Sequence, residues 1–280
     1  MRCFVLASDC GESVAETRSM IATSLTALGN WRTVVGALMT RQVKGRFKAN
    51  QMGLFLAFAE PFLLLGMIML LRVFFKQKLA SFGQSEMVFL SSGILPYYVF
   101  IRTSTRSRSS SRSGPSRRLP RASKTDLLVA TIAADLVLFL STMVVWFAIL
   151  ALLGLDEAVP HAIELCIEAV FFIALLGIGL GLITSAIASR IPAWNYIYGF
   201  CARLLIFLSG VFYIIDLLPL KSVRDDMALN PLAHGIVWFR LGLYGSYPSS
   251  ILDTDYLMFW SGAILLVGLI AYRGTVRPVR

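Results

Sequence analysis

Apolar segments alternate with short polar connections along most of the chain. Six of them stand out, at about residues 53–75, 86–101, 127–153, 165–188, 197–218 and 256–272. Most reach the roughly 20 residues that a helix needs to cross the hydrocarbon core of a bilayer. Hydrophobic residues make up 57% of the 280 and charged residues only 15%, whereas soluble domains average about 25% charged residues. The pattern predicts an all-α membrane protein whose residues 53–275 form a six-transmembrane-helix bundle.

An amphipathic segment precedes the first span. Over residues 31–50, apolar side chains such as Trp31, Val35 and Leu38 recur at helical spacing, and basic side chains occupy much of the rest. This predicts an N-terminal interfacial helix in the headgroup plane, with a helix packed on a partner protein as the alternative. Residues 1–30 lack an uninterrupted apolar core after a basic start, so they are predicted to be a cytoplasmic tail and not a signal peptide.

The connection 219–255 is long and alternates short apolar pieces with turns. Asn230 followed by Pro231 is a helix-start signal, because Asn caps free amides and Pro suits the first helical position. A helix over about 231–244 is therefore expected, within a region of short external re-entrant or interfacial helices. The aromatic residues expected to dip into the membrane edge are Trp238, Phe239 and Tyr244.

Positive charge is unevenly distributed among the connections. The chain has 26 Lys/Arg against 16 Asp/Glu, and six spans place nineteen Lys/Arg on the side of the two termini and five on the other. The positive-inside rule then assigns both termini to the cytoplasm. The connection 102–125 alone holds eight Lys/Arg and eight Ser. In a soluble protein such a stretch suggests nucleic acid, but between two spans it predicts a cytoplasmic loop near anionic membrane lipids and no nucleic-acid partner.

Motifs for covalent chemistry are absent from the sequence. It contains no Gly-x-x-x-x-Gly-Lys-Ser/Thr phosphate loop, no HExxH, no CxxC and no Gly-x-Ser-x-Gly elbow. The two histidines, His161 and His234, are far apart, and the four cysteines show no metal-site spacing. The chain is therefore predicted to be no enzyme, with no catalytic residue, no metal site and no cofactor of its own, so any ATP hydrolysis belongs to another polypeptide.

Several spans contain charged or very small residues. Glu60, Asp135 and Arg203 are costly in lipid and are expected to face the bundle interior or a watery path. Glu60 and Arg203 are candidates for an ion pair. Gly177 and Gly181 would allow close approach of another helix, either within the chain or from a second copy. Aromatic residues at span edges fit either an interfacial belt or a sugar-stacking lining.

The order of several motifs resembles one family. The residues that carry the resemblance are Arg41, Lys44, Arg46, Phe47, Gly53, Glu60 and Pro61 around the first span, the stretch SGILPYYVF at 92–100, LSGVFYIIDLLP at 208–219, and Asn230, Pro231, Leu232, His234 and Arg240 within LNPLAHGIVWFRLGLYG at 229–245. Over about 31–275 the chain is similar to ABC-2 type transporter permeases that export polysaccharides, and its Glu-Pro pair is similar to the capsule-exporter branch. The tract 102–118 departs from the family, whose corresponding loop is a mixed apolar and polar helix.

The resemblance implies a type V exporter-like fold and a homodimer in the inner, cytoplasmic membrane. It also implies two copies of a separate ABC ATPase subunit that binds ATP and Mg, and a capsular, lipid-linked polysaccharide that passes between the two permease copies. The interfacial helix and the 102–125 loop would contact the ATPases. The candidates for ATPase coupling are Arg41, Lys44, Arg46, Phe47, Arg102, Arg106, Arg108 and Arg112. The candidates for the translocation path are Glu60, Tyr97, Tyr98, Trp194, Tyr196, Tyr213, Trp238 and Arg240.

The sequence leaves other functions open. The same architecture can carry a lipid, a drug or another small hydrophobic cargo. A membrane enzyme acting on lipid-linked sugars would need a convergent acid site, for which only the external acids are candidates: Asp225, Asp226, Asp253 and Asp255. A secondary transporter would show internal repeats, and none is evident in the sequence.

Overall fold

The computed structural model describes residues 36–40, 51–75, 82–112 and 124–275, which form helices joined by turns and short connections, with no strand among them. After a short helical segment at 36–40 come α1 (Gln51–Phe75), α2 (Glu86–Arg112), α3 (Lys124–Leu152), α4 (Ile163–Ala188), α5 (Trp194–Leu208), α6 (Lys221–Ala228), α7 (Pro231–Tyr244) and α8 (Thr254–Thr275). Two single 3₁₀ turns lie at Asp156–Ala158 and Ile215–Leu217.

Within the part of the chain that the structure describes, three helices are long and apolar enough to cross a membrane, over Thr125–Leu152, Ile163–Ala188 and Thr254–Gly274. They coincide with the predicted third, fourth and sixth spans. The apolar stretches Ala59–Leu71 and Trp194–Leu208 are shorter, so the count of six spans stays a prediction. The helix of the fifth span begins earlier than predicted and ends at Leu208, before the predicted end at 218.

The largest difference from the sequence prediction is the length of α2. A loop was predicted from residue 102, but the helix continues through Arg112. The polar side chains are accommodated in the helix because their hydroxyls bond back to it: Thr103 Oγ1 donates to the Val99 carbonyl at 2.8 Å and Ser107 Oγ donates to the Thr103 carbonyl at 2.7 Å. Such internal bonds satisfy small polar side chains without water.

The connections gather at two ends of the bundle. At one end, the amides of Gln84 and Ser85 bond to the Glu157 carboxylate, and the Ala162 amide donates to the Gly242 carbonyl at 2.8 Å. We call this the α6 end, because α6 lies there. The opposite end holds the C-terminus of α2 and the turn between α4 and α5; we call it the Arg112 end. By the charge asymmetry of the sequence, the Arg112 end is predicted to be cytoplasmic.

Helix α4 is the centre of the bundle. Of its apolar window 56% is buried, against 22% for α3 and 17% for α8. Its neighbours are α2, α7 and α8, and Ile173 lies in one core with Phe100, Phe139 and Leu232. Apolar side chains on the outer sides of α3 and α8 remain exposed, as is expected of surfaces that face lipid.

Helix α7 has the bounds that the sequence predicted. Asn230 caps it, since its side-chain oxygen accepts from the Leu232 amide at 3.1 Å, and Pro231 is the first residue. The prediction that its aromatic residues reach the membrane edge is wrong for Trp238 and Phe239, which are buried in the core. The helix lies among α2, α4 and α8, so protein surrounds it.

Candidate functional site

Residues 102–112, the basic end of α2, form the polar site that sequence reasoning singled out. Thr103, Ser104 and Ser107 are buried on one side. They pack against α4, where a Cβ at Gly177 would collide with the Thr103 side chain and one at Gly181 would lie 2.8 Å from Ser107 Cβ. The small residues are what allow the two backbones to come so close.

The contact repeats at every fourth residue on both helices. Thr103 and Ser107 are followed by Ser111, whose hydroxyl bonds to that of Ser185, one step beyond Gly181 on α4. We call these facing residues the small-residue seam. The close approach predicted for Gly177 and Gly181 is confirmed, and the helix that approaches belongs to the same chain.

The arginines of the basic end lie beside a buried carboxylate on α3. Arg102 donates from Nε to Asp135 Oδ2 at 3.2 Å and from Nη2 to Oδ1 at 3.4 Å, and Arg106 Nε donates to Oδ1 at 3.0 Å. One helical turn separates the two arginines, so both reach the same acceptor. The prediction that Asp135 faces the bundle interior is confirmed. Arg102 and Arg106, predicted to lie in a loop, are instead fixed on a helix inside the bundle.

The next arginine connects the basic end to α5. The Arg108 guanidinium lies 4.6 Å from the centre of the Tyr198 ring, within cation–π distance. The Tyr198 hydroxyl also hydrogen-bonds that of Ser104. The basic end therefore contacts α3, α4 and α5 together, and Arg112 is the last residue of its helix. The remaining coupling candidates, Arg41, Lys44, Arg46 and Phe47, lie outside the described residues.

Two of the predicted path residues link helices inside the bundle. Tyr97 and Tyr98 are buried. The Tyr97 hydroxyl donates to the Ala202 carbonyl of α5 at 2.5 Å, and the Tyr98 side chain lies close to the Glu60 carboxylate of α1. Both Glu60 and Arg203 are described and exposed, and no ion pair joins them.

The other predicted aromatic residues are scattered. Tyr196 is 84% exposed, Trp194 is half-buried, and Trp238 stacks on Phe172 with ring centres 5.9 Å apart. Tyr213 is half-buried and donates its hydroxyl to the Phe207 carbonyl. The structure does not bring these four predicted residues to one surface, so their role in a path stays a prediction.

Arg240 of α7 is fully buried inside the bundle, towards its α6 end. Its guanidinium donates to the carbonyls of Gly210 at 2.8 Å and Val211 at 2.6 Å, and to the Ser92 hydroxyl at 3.2 Å. It also lies 4.0 Å from the centre of the Phe89 ring. Carbonyl dipoles and an aromatic face stabilise the charge in place of a carboxylate. Arg240 thus connects α7 to α2 and to the turn after α5, a role that the sequence did not reveal.

These features define a helical membrane protein whose polar residues are concentrated inside the bundle and at its two ends. The ABC-2 type transporter family matches residues 33–244. That range covers most of the chain, and the chain belongs to this family.

Curated relatives extend the similarity over nearly the full length. The chain is 27% identical over 239 residues to the capsule polysaccharide export inner-membrane protein CtrC of Neisseria meningitidis serogroup B, covering 85% of this chain and 89% of that protein. It is 26% identical over 249 residues to the protein of the same description, BexB, of Haemophilus influenzae, covering 88% and 92%. It is 23% identical over 244 residues to the polysialic acid transport protein KpsM of Escherichia coli, covering 86% and 93%.

Proposed function

We propose that this chain is the permease subunit of an ATP-driven exporter that moves a capsular-type, lipid-linked polysaccharide across the inner membrane. The observation that carries the proposal is the shared length: relatives named for capsule polysaccharide export or polysialic acid transport match 85–88% of this chain and 89–93% of their own. The similarity therefore includes both ends of the bundle and not only one conserved segment.

In the proposed assembly, two copies of the chain form the translocation path and two copies of an ABC ATPase subunit bind ATP and Mg. The chain itself performs no hydrolysis. Both termini and the Arg112 end face the cytoplasm, with six spans and an interfacial helix before α1. The exposed side of α5, which includes Tyr196 and Phe200, is a candidate surface for the second copy or for the path.

The basic end of α2 is the proposed coupling element. It contacts α3 through Asp135, α4 through the small-residue seam and α5 through Tyr198. A displacement applied near Arg112 would therefore act on three helices at once. This geometry supports a mechanism in which closure of the ATPases moves the bundle and opens the path.

Deletion of the gene tests the function. We expect polysaccharide to accumulate inside the cell, plasmid-borne wild type to restore its surface display, and an ATPase subunit to co-purify with the chain. Normal surface polysaccharide in the deletion strain would overturn the proposal. Loss of efflux of a small hydrophobic dye, with surface polysaccharide unchanged, would favour the alternative of a lipid, drug or other small hydrophobic cargo.

The coupling element is tested by the combined substitution Arg106→Gln, Arg108→Gln and Arg112→Gln. We expect lower export with the protein still present in the membrane, because the basic end loses the Arg106 contact with Asp135 of α3 and the Arg108 contact with Tyr198 of α5. Arg190→Gln, at an exposed position of the same end, is the matched control. Wild-type export by the triple variant would mean that the basic end has only a structural role and does not couple the ATPases to the bundle.

A further inference from the structure

An open pocket lies at the α6 end, among α6, the start of α7 and residues 250–256. Its volume is about 450 Å³, within the range of about 300–1,000 Å³ typical of small-ligand clefts. Its lining is mixed, with two cations, two carboxylates, an imidazole, a hydroxyl and an aromatic ring among apolar side chains. The charged and aromatic residues of the lining are Lys221, Arg224, Asp225, His234, Asp253 and Tyr256.

The aromatic wall of the pocket is held in place. The Tyr256 hydroxyl donates to the Leu229 carbonyl at 2.9 Å, and its ring lies 5.0 Å from that of His234. His234 is fixed on both nitrogens, since Nδ1 accepts from the Asp253 amide at 3.0 Å and Nε2 lies 2.7 Å from the Ala228 carbonyl. Because Nδ1 accepts, Nε2 carries the proton and the imidazole is a neutral part of the wall.

The charged groups of the pocket do not form ion pairs with one another. Lys221, Arg224, Asp225 and Asp253 are all described, and no ion pair joins any two of them. Arg224 donates from Nη1 to the Asp216 carbonyl at 3.3 Å, while its buried Nε has no partner. The Asp216 carboxylate is occupied by Ser250, whose amide donates to it at 3.0 Å. The Arg224 guanidinium therefore lines the pocket without a carboxylate partner among the described residues.

We propose that this pocket binds one unit of an acidic saccharide as the chain leaves the bundle. Arg224 and Lys221 bind the sugar carboxylate, the carboxylates of Asp225 and Asp253 accept its hydroxyls, and Tyr256 provides an aromatic face for its C–H groups. A hydrophobic cargo would leave these charged groups unpaired and desolvated, which disfavours it. The inference rests on the proposed function, because it places the pocket on the exit side of the same transport path.

Binding to the purified full-length protein in nanodiscs of neutral lipid tests the pocket. The probe is a galacturonic acid disaccharide, and a glucose disaccharide is its neutral counterpart; saturation-transfer NMR and calorimetry measure both. We expect saturable binding of the acidic probe. Arg224→Gln should weaken it about tenfold or more, as expected for loss of a charge-assisted hydrogen bond, and should leave the weaker neutral probe little changed. Arg224→Lys keeps the charge and should retain part of the affinity, which guards against a folding defect.

Two controls complete the test. Asp226→Asn, on α6 but outside the pocket lining, should bind as wild type, whereas Asp225→Asn should not. Absent or non-saturable binding, equal binding by Arg224→Gln, or displacement of the probe by phosphatidylglycerol but not by excess free saccharide would overturn the proposal; the last result would identify a lipid headgroup as the occupant. Because the deletion strain tests export independently, failed probe binding with export lost on deletion rejects only the pocket. Probe binding with normal export in that strain rejects the proposed function.

Discussion

The pair of arginines around Asp135 permits a sharp prediction about stability. The Asp135 side chain is 3% exposed, that of Arg102 is 11% exposed and that of Arg106 is 37% exposed. Asp135→Asn keeps the shape of the side chain and removes its charge. Arg102 then keeps a positive charge in a nearly buried position without the carboxylate that accepts its two hydrogen bonds.

The exposed fractions of these side chains determine the expected loss in free energy of unfolding. Removing one partner of a buried ion pair costs about 3–5 kcal/mol, whereas a pair whose partner is well exposed contributes about 1 kcal/mol or less. Arg102 belongs to the first case and Arg106 is close to the second. We expect Asp135→Asn to lower the free energy of unfolding by about 3 kcal/mol, Arg102→Gln by about 2 kcal/mol, and Arg106→Gln by less than about 1 kcal/mol.

Unfolding by a denaturing detergent in mixed micelles, followed by circular dichroism, measures these differences. Glu168→Gln removes an exposed carboxylate from α4 and is expected to change stability by no more than about 0.5 kcal/mol. The double variant Asp135→Asn with Arg102→Gln should recover most of the loss, because no buried charge is left without its partner. If Asp135→Asn behaves like Glu168→Gln, or if the two losses simply add, the ion pair does not stabilise the bundle.

Three further substitutions test other contacts. Arg240→Met leaves several buried carbonyls without a donor and should lower stability by about 3 kcal/mol, seen as a lower midpoint of thermal unfolding; an unchanged midpoint would contradict its linking role. Gly181→Leu collides with the backbone of α2, so it should lower stability by at least about 1–3 kcal/mol and reduce the folded yield. Gly274→Leu, with open space around it, should be tolerated. Equal yields of the two variants would refute the close contact. Asn230→Ala removes the cap of α7 and should cost about 1 kcal/mol by the same measurement, while a neutral effect would mean that packing alone fixes that helix start.

The helix positions could largely be predicted from the sequence, because burial in lipid or protein requires long uninterrupted apolar runs. The predicted span 165–188 became α4, Ile163–Ala188. The start of α7 followed from Asn230 and Pro231, since capping is a local interaction between neighbouring residues. Such features need no information about distant parts of the chain.

The basic end of α2 was mispredicted because its composition is that of a solvated loop. The available signal was spacing and not hydrophobicity: Thr103, Ser107 and Ser111 recur every four residues. The same spacing occurs at Gly177, Gly181 and Ser185 on α4. Small residues at this interval on two helices indicate close packing, but the match between them is recognisable only once both are known to be helical.

The linking role of Arg240 had no such signal. Its strongest bonds go to backbone carbonyls of residues 210 and 211, and a carbonyl has no sequence signature. One of its side-chain partners, Ser92, lies 148 residues away. For the same reason the pocket beside α6 could not be assembled from sequence, because its lining comes from segments that only the fold brings together.

The small-residue seam also determines which parts of the bundle can move independently. Gly179 lies on α4 between Gly177 and Gly181 and faces α8 on the opposite side. An added Cβ at Gly179 would lie 2.6 Å from the Leu265 amide of α8. At these glycines, helices α2, α4 and α8 therefore touch nearly backbone to backbone, with little side chain between them to absorb a displacement by changing rotamer. We expect the three helices to shift as a single stiff unit. We therefore expect the flexible part of the bundle to be its lightly packed periphery, above all α5, whose outer side chains are exposed.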